Sequence, residues 1–378
     1  MYLLEHDAKE LLAARGVAVP AGCLIQSAAS VRTASLPSGP WIVKGQIAAG
    51  GRGKAGLIRK AANIAELEAN ARHIIGSKVK GQRVAAARIE QQVSGAREAY
   101  IGFLLDAASG GVRVILSASG GMDIELVPRE HIHSKLARPD ARSLTNCVHE
   151  LARNLPSEIA PSVRDAGERL AHAFMELEAL LIEINPLFVY PAGWWVAGDA
   201  KIVMDDNALP RQKALESLVE SRAAAYPDVA RKHEHGFDYV VVDPQGEIGL
   251  LTTGAGLSMM LIDELRAAGL KPYNFLDIRT GGFRGETRRL TQVLEWISEG
   301  QKVKVLLVNV FAGITDLGEF SRLLVKAIAA APQLKVPVIA RLVGNGLPAA
   351  REVLAAAGIA LHTDLDEALA AVRRHLKP

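Results

Sequence analysis

Cysteine is nearly absent from this chain. Two residues in 378, Cys23 and Cys147, are too few and too far apart for a disulfide framework or a zinc site. They read as two reduced thiols, and a cytoplasmic protein is the expectation. Long apolar runs are missing as well: none approaches the ~20 residues that a membrane span needs. The opening residues, Met1-Tyr2-Leu3-Leu4-Glu5-His6, lack a basic region followed by a long apolar stretch, so no secretory signal is expected. A large excess of one charge is also lacking. The net charge of +3 is small for this length and argues against a dedicated nucleic-acid binder, whose basic residues are in excess and clustered. No internal repeat is present.

What is there is a chain longer than one hydrophobic core usually spans, so two or three domains are expected. The first half mixes periods. Leu4, Ala8, Leu11 and Leu12 recur at helical spacing up to Gly16, and residues 63–75 and 156–177 read as further helices. Between them lie strands at 41–44, 55–58 and 84–90, a hairpin of 100–105 with 112–117, and another of 181–189 with 194–203. This is an α+β pattern. The second half changes character. Six short apolar strands, at 239–242, 249–252, 274–276, 305–308, 338–340 and 359–361, are mostly separated by helices at 257–268, 286–299, 317–331 and 348–357, and a helix at 365–376 closes the chain. Strands apolar on both faces and alternating with helices indicate an α/β domain with a parallel sheet covered on both sides. The polar run Arg231-Lys232-His233-Glu234-His235-Gly236 admits a metal site, but at a domain edge it is expected to be a solvated linker, dividing the chain into domains 1–230 and 237–378.

Two segments carry candidate chemistry. Lys44 ends an apolar strand, where a lysine needs a buried partner, and the loop after it contains Gly50, Gly51, Arg52, Gly53, Lys54 and Gly56. Glycines let backbone N–H groups turn towards an anion, and the basic residues add charge for phosphate. The loop joins two strands and lacks the Walker spacing; a flexible hairpin loop has the same composition. The second segment is the hairpin Glu183-Ile184-Asn185-Pro186 with Gly198-Asp199-Ala200-Lys201. A three-residue turn centred on Ala192 places Asn185 opposite Asp199 and Glu183 opposite Lys201, all on one face. Cross-strand oxygens at that separation suit a shared hard cation such as Mg²⁺. A cross-strand hydrogen bond beside a salt bridge satisfies the same pattern. Glu90 and Glu98 sit at strand ends, where carboxylates suit the hydroxyls of a ribose or the amino group of adenine, though such a residue alone is more often a solvent-facing charge.

Together with Asp206-Asn207-Ala208-Leu209, Gly254-Ala255-Gly256-Leu257, Asn274-Phe275-Leu276-Asp277 and Val308-Asn309-Val310-Phe311-Ala312-Gly313-Ile314, these stretches resemble, in family order, the ATP-grasp family of succinyl-CoA synthetase (ADP-forming) beta subunits. Gly120-Gly121-Met122-Asp123-Ile124-Glu125 and the pair Asp205-Asp206 look more like the malate–CoA ligase branch. The resemblance implies an N-terminal ATP-grasp domain and a C-terminal flavodoxin-like CoA-ligase domain. It implies an ADP-forming acid–CoA ligase acting on a small (di)carboxylic acid, with ATP and CoA as substrates and Mg²⁺ as cofactor. By position, Lys44, Gly51, Arg52, Gly53, Glu90 and Glu98 are expected to bind nucleotide, Asn185 and Asp199 the metal, and Glu183 to steady a phosphohistidine. Thr253, Arg279, Arg284, Gly313, Ile314 and Thr315 are expected near the acid.

In this family the phosphohistidine and most of the CoA site belong to an alpha subunit. None of the ten histidines here lies in a Gly-His-Ala-Gly setting, so an alpha–beta or alpha2–beta2 assembly is expected. Three departures fall where the acid binds. Thr253 stands for an asparagine, the segment 277–285 is longer and basic, and Thr315-Asp316-Leu317-Gly318 replaces a basic, cysteine-containing segment. An acid other than succinate, or not succinate alone, with an extra polar or anionic group met by Arg279 and Arg284 is therefore expected; the alternative is that both arginines lie at the rim and contact CoA phosphates or the alpha subunit. Two alternatives stand beside this reading: another ATP-grasp carboxylate ligase, which predicts no flavodoxin-like second half, and a non-catalytic nucleotide- or CoA-sensing homologue, which predicts loss of the metal residues. A dehydrogenase reading of Gly254-Ala255-Gly256 is weak, because Met259 takes the place of the third glycine.

Overall fold

The computed structural model describes residues 1–376 except 49, 80, 81, 192, 279–286 and 314. The chain forms two compact units, residues 1–226 and 227–378.

The first unit holds two antiparallel sheets. One has four strands in the order Gly22–Ile25, Ala86–Gln91, Trp41–Gln46 and Ile58–Ala61. Val43, Ile89, Leu67, Ala71 and Ile74 form its core with helix Ile64–Ile74. That helix starts where the sequence says it should: Asn63 caps it by accepting from the Glu66 N–H at 3.0 Å. The strand after the glycine-rich loop begins at Ile58, later than expected. Residues 51–57 close turns of their own instead, through Ala55 N–H to Gly51, Gly56 N–H to Gly53 and Leu57 N–H to Arg52.

The other sheet has strand Ala179–Val189 at its centre. It pairs with Arg97–Asp106 on one side and with Trp195–Ala197 and Lys201–Met204 on the other, and Gly111–Ser117 and Ile132–Ala137 continue the sheet beyond Arg97–Asp106. Helices Ala141–Leu151 and Ala160–Glu176 pack on this sheet and on each other. A Cβ at Gly167 would lie 2.5 Å from Val148 Cγ1, so only glycine allows the two helices to meet this closely. Ile132–Ala137 and Ala141–Leu151 go beyond the sequence reading.

In the second unit, strands Ile248–Thr252, Val305–Ala312, Val338–Gly344 and Ala360–His362 are parallel neighbours. Leu250, Leu307, Leu265 and Val372 belong to one core cluster, and Leu306, Val308, Phe320 and Leu324 to another. Both faces of these strands are thus covered, as their two-sided apolar pattern requires. Strand Asn274–Asp277 joins beside Ile248–Thr252 largely through side chains. The fully buried Asn274 amide donates to Leu250 O and accepts from Leu250 N–H, each at 2.8 Å, and Thr252 Oγ1 donates to Leu276 O at 2.7 Å. The four-stranded sheet is parallel throughout, and the first strand, Asp238–Val241, runs antiparallel to Asn274–Asp277 in a separate two-stranded ladder. A short apolar strand carries no signal of its direction.

The polar run 231–236 is not a solvated linker. It ends helix Pro227–His235. The Arg231 guanidinium lies 5.4 Å from the Tyr239 ring and 5.2 Å from Trp296, Lys232 pairs with Asp238 at 2.9 Å, and the His235 ring meets Trp296 edge-on at 4.9 Å. Charged side chains with long stems cover apolar surface in this way. Among the described residues no helix is long and apolar enough to cross a membrane.

Candidate functional site

The hairpin register places the site. Glu183 is paired with Lys201, and Leu187, Phe188 and Val189 with Ala197, Val196 and Trp195. All these pairs are symmetric about position 192, the register expected from the sequence. Between the two ladders the backbone at residues 198–200 leaves the strand, and there Asn185 and Asp199 face one cleft of about 700 Å³. Lys44, residues 50–54, Glu90 and Glu183 line the same cleft. Seven of the sequence-derived candidates, Lys44, Gly51, Arg52, Gly53, Glu90, Asn185 and Asp199, thus meet with Glu183 in one place.

At its base lies a buried network of alternating charge. Lys44 Nζ lies 2.8 Å from Glu5 Oε1 and 2.5 Å from Glu90 Oε1. Arg52 Nη1 meets Glu5 Oε2, while its Nη2 sits 2.6 and 2.8 Å from the two oxygens of Asp199. Arg88 Nε donates to Glu90 at 2.9 Å. Burial alone would raise the Glu5 carboxyl, but Arg52, Lys44 and Lys9 outweigh it and hold it well below the usual range. Glu90 is lowered for the same reason, its burial being overcome by Lys44 and Lys9. Burial works against the charge on Lys44 and Arg52 too, yet the facing carboxylates raise both. Glu183 behaves differently: burial raises it, and Lys201 at 3.5 Å only partly compensates. A carboxyl held up in this way suits proton handling or a hydrogen bond to an imidazole.

The roof is the loop 120–126. Asn185 grips it, accepting from Gly121 N–H and donating to Met122 O, each at 2.8 Å. Lys54, from the glycine-rich loop, pairs with Asp123. Ile58, Met122 and Leu126 line the cleft with exposed apolar side chains, a surface that suits the flat face of a base. Glu98 is exposed and does not line the cleft. Its carboxylate packs on the back of the loop: a Cβ at Gly121 would fall 1.8 Å from Glu98 Oε2.

Oxygen donors of the hard kind that Mg²⁺ prefers are present in the Asp199 carboxylate and the Asn185 amide. Asn185 Oδ1 accepts one hydrogen bond and keeps a second lone pair, so the donor set fits such an ion.

Thr253, Gly313 and Thr315 belong to the second unit, at the carboxyl ends of two of its parallel strands, the edge at which open α/β sheets take ligands. Thr253 follows Ile248–Thr252 and is 8 % exposed. Gly254, at φ 85°, donates its N–H to Asp277 at 2.9 Å. Gly313 and Thr315 follow the neighbouring strand Val305–Ala312. Asp316 then caps helix Leu317–Ala330 with its own carboxylate, accepting from Glu319 N–H at 2.8 Å. Arg279, Arg284 and Ile314 lie outside the described residues.

Sequence reasoning missed Glu5, Lys9 and Arg88. The first two are one turn apart on helix Glu5–Ala13, and such a pair usually reads as a surface ion pair. Here Glu5 is 2 % and Lys9 0 % exposed. The available signal was Lys44 itself, which demanded a buried carboxylate.

Comparison with known proteins settles the family. An ATP-grasp domain family matches residues 2–189, and a CoA-ligase family matches residues 251–374. The beta subunit of succinate–CoA ligase [ADP-forming] from Chloroflexus aurantiacus is 37 % identical over 363 residues, 94 % of this chain and 93 % of its own. This chain is a member of the ADP-forming succinate–CoA ligase beta-subunit family. A second such subunit, from Archaeoglobus fulgidus, is 36 % identical over 361 residues, 94 % of this chain and 92 % of its own. In fold, the chain resembles ATP citrate lyase from Methanothrix soehngenii, solved with citrate and coenzyme A. The TM-score is 0.72 at 17 % identity, covering 96 % of this chain and 95 % of that one. Membership in the beta-subunit family fits the ATP-grasp domain followed by a CoA-ligase domain that the sequence suggested.

Proposed function

We propose that this chain is the beta subunit of an ADP-forming acid–CoA ligase, working with an alpha subunit that carries the phosphohistidine and most of the CoA site. The observation that carries the reading is the convergence of Lys44, Arg52, Asn185, Asp199 and Glu183 on one cleft. Lys44 and Arg52 hold the phosphates of ATP, and the N–H groups of Gly51 and Gly53 line their path. Ile58, Met122 and Leu126 flank the base. Asp199 and Asn185 would hold a Mg²⁺ ion, which would neutralise charge on the transferring phosphoryl group. For this the Arg52–Asp199 pair opens: its guanidinium turns to phosphate, where planar donors bind well, and its carboxylate is released. Glu183, raised by burial, orients the imidazole of the partner's histidine.

In the second unit, Thr253, Gly313 and Thr315, with Arg279, Arg284 and Ile314, receive the acid, a small dicarboxylic acid with an additional polar or anionic group. Guanidinium groups grip such a group with paired hydrogen bonds, and a site built for it rejects the analogue that lacks it. The test is a division of labour. The purified chain should bind Mg–ADP saturably yet form no acyl-CoA from ATP, CoA and any small acid. Turnover by the chain alone would refute the dependence on a partner.

A further inference from the structure

The ammonium group of Lys44 is fully engaged. Its three donors go to Glu5 Oε1 at 2.8 Å, Glu90 Oε1 at 2.5 Å and Gly198 O at 2.7 Å, and an ammonium has three. Arg52 likewise holds Glu5 Oε2 and both oxygens of Asp199. Neither cation can turn to a phosphate without leaving a carboxylate behind. A buried carboxylate stripped of its partner is strongly destabilising.

Among the described residues, one further cation touches both carboxylates that Lys44 holds. Lys9 Nζ lies 2.7 Å from Glu5 Oε1, 2.7 Å from Glu90 Oε2 and 2.8 Å from Gly198 O. It is wholly buried and does not line the cleft, so a ligand there does not meet it. Three oxygen acceptors at these distances require all three protons of the ammonium form. The groups facing the two carboxylates differ. Glu90 is met by Lys9, Lys44 and Arg88, and Arg88 also contacts His6 Nδ1. Glu5 is met by Lys9, Lys44 and Arg52. If Lys44 and Arg52 both engage phosphate, Glu90 keeps Arg88 and Lys9, whereas among the described residues Glu5 keeps Lys9 alone.

We propose that Lys9 is a positioning residue that keeps Glu5 neutralised while Lys44 and Arg52 turn from it to the phosphates of a bound nucleotide. The inference rests on the nucleotide role proposed for the cleft, and it explains why a lysine occupies the buried face of the first helix. Without Lys9, nucleotide binding must take up a proton at Glu5.

Calorimetric titration of the full chain with Mg–ADP, at several pH values and in two buffers of different ionisation enthalpy, measures that proton. The wild-type chain should bind with no proton uptake in this region. Lys9→Met should bind more weakly, take up close to one proton, and lose affinity by up to about tenfold per pH unit as the pH rises. The double variant Glu5→Gln/Lys9→Met removes the stranded charge and should recover binding without proton uptake. It also decides the matter if the single variant does not fold. Wild-type affinity without proton uptake in Lys9→Met, or a double variant that fails to bind, overturns the role of Lys9. A wild-type chain that does not bind Mg–ADP overturns the nucleotide cleft and this inference together.

Discussion

Replacing Asp199 by asparagine separates the two roles that its position allows. In the present arrangement Asp199 holds Arg52 with contacts of 2.6 and 2.8 Å, its side chain 29 % exposed and that of Arg52 10 %. A hydrogen bond between charged groups contributes about 1.5–3 kcal/mol when shielded, and partial exposure brings this pair to the lower end. Arg52 retains Glu5, and asparagine retains one acceptor oxygen. The expected loss of stability is therefore about 1 kcal/mol, a fall of about 2–4 °C in the unfolding temperature of a unit of this size. Activity should respond far more. If Asp199 is the anionic ligand of the metal, the assembled ligase should lose several kcal/mol of transition-state stabilisation, about 10²- to 10³-fold in kcat. Nucleotide binding without metal should move the other way, because Arg52 is released for phosphate. Thermal unfolding, Mg²⁺-dependent turnover and metal-free nucleotide affinity, measured on the same preparation, give three independent readouts. Near wild-type turnover at ordinary Mg²⁺ would refute the metal role. A large fall in stability would show instead that the pair is chiefly structural.

Three other outcomes are expected. Asn274→Leu leaves both Leu250 backbone groups unpaired inside the second unit, and chemical denaturation should register a loss of about 2–5 kcal/mol. His6 is buried, its Nδ1 accepting from Arg88 at 2.7 Å; burial, helped by Arg88, lowers its pKa to about 4. Since the unfolded residue titrates near 6.5, stability is fully present above about that pH and falls by roughly 3 kcal/mol as the pH drops towards 4. Urea midpoints at pH 7 and 4.5 should show this, and His6→Asn should flatten it. Burial raises Glu183, so its contribution is present below the unfolded pKa and lost as pH rises through the folded one. Glu183→Gln should therefore be more stable than wild type at pH 8 in a melting experiment, while the assembled ligase loses turnover.

Much of this was legible in the residues. Strands such as 305–308, apolar on both faces, announced a covered parallel sheet, because no exposed strand tolerates that pattern. The turn expected around position 192 gave the register of Glu183 against Lys201, whereas Asp199 lines the same cleft as Asn185 from a stretch that leaves the strand. Lys44 in an apolar strand pointed to buried carboxylates. Which carboxylates answered it was not legible. Glu5 comes from a helix 39 residues earlier in the chain, and its i, i+4 pairing with Lys9 has the same spacing as a surface ion pair. The antiparallel direction of Asp238–Val241 depends on the path of its neighbours and leaves no trace in four residues. Charge alone made 231–236 look like a linker, but the stem of Arg231 lies against Tyr239 and Trp296. Asn185 reads as a metal ligand, yet its amide also grips the loop at Gly121 and Met122, a contact between segments distant in sequence.

The central claim, that this chain supplies the nucleotide half of an acid–CoA ligase, is tested most directly by reconstitution. The chain should be co-purified with the alpha-like neighbour from its own genome and supplied with ATP, Mg²⁺ and CoA, with succinate, malate and related acids added one at a time. Continued release of ADP, beyond the single equivalent that accompanies the phosphohistidine, should require both CoA and a suitable acid and keep step with acyl-CoA, and an acid with an added polar group should be preferred to succinate. Formation of AMP, or multiple-turnover release of ADP that ignores CoA, would contradict the account.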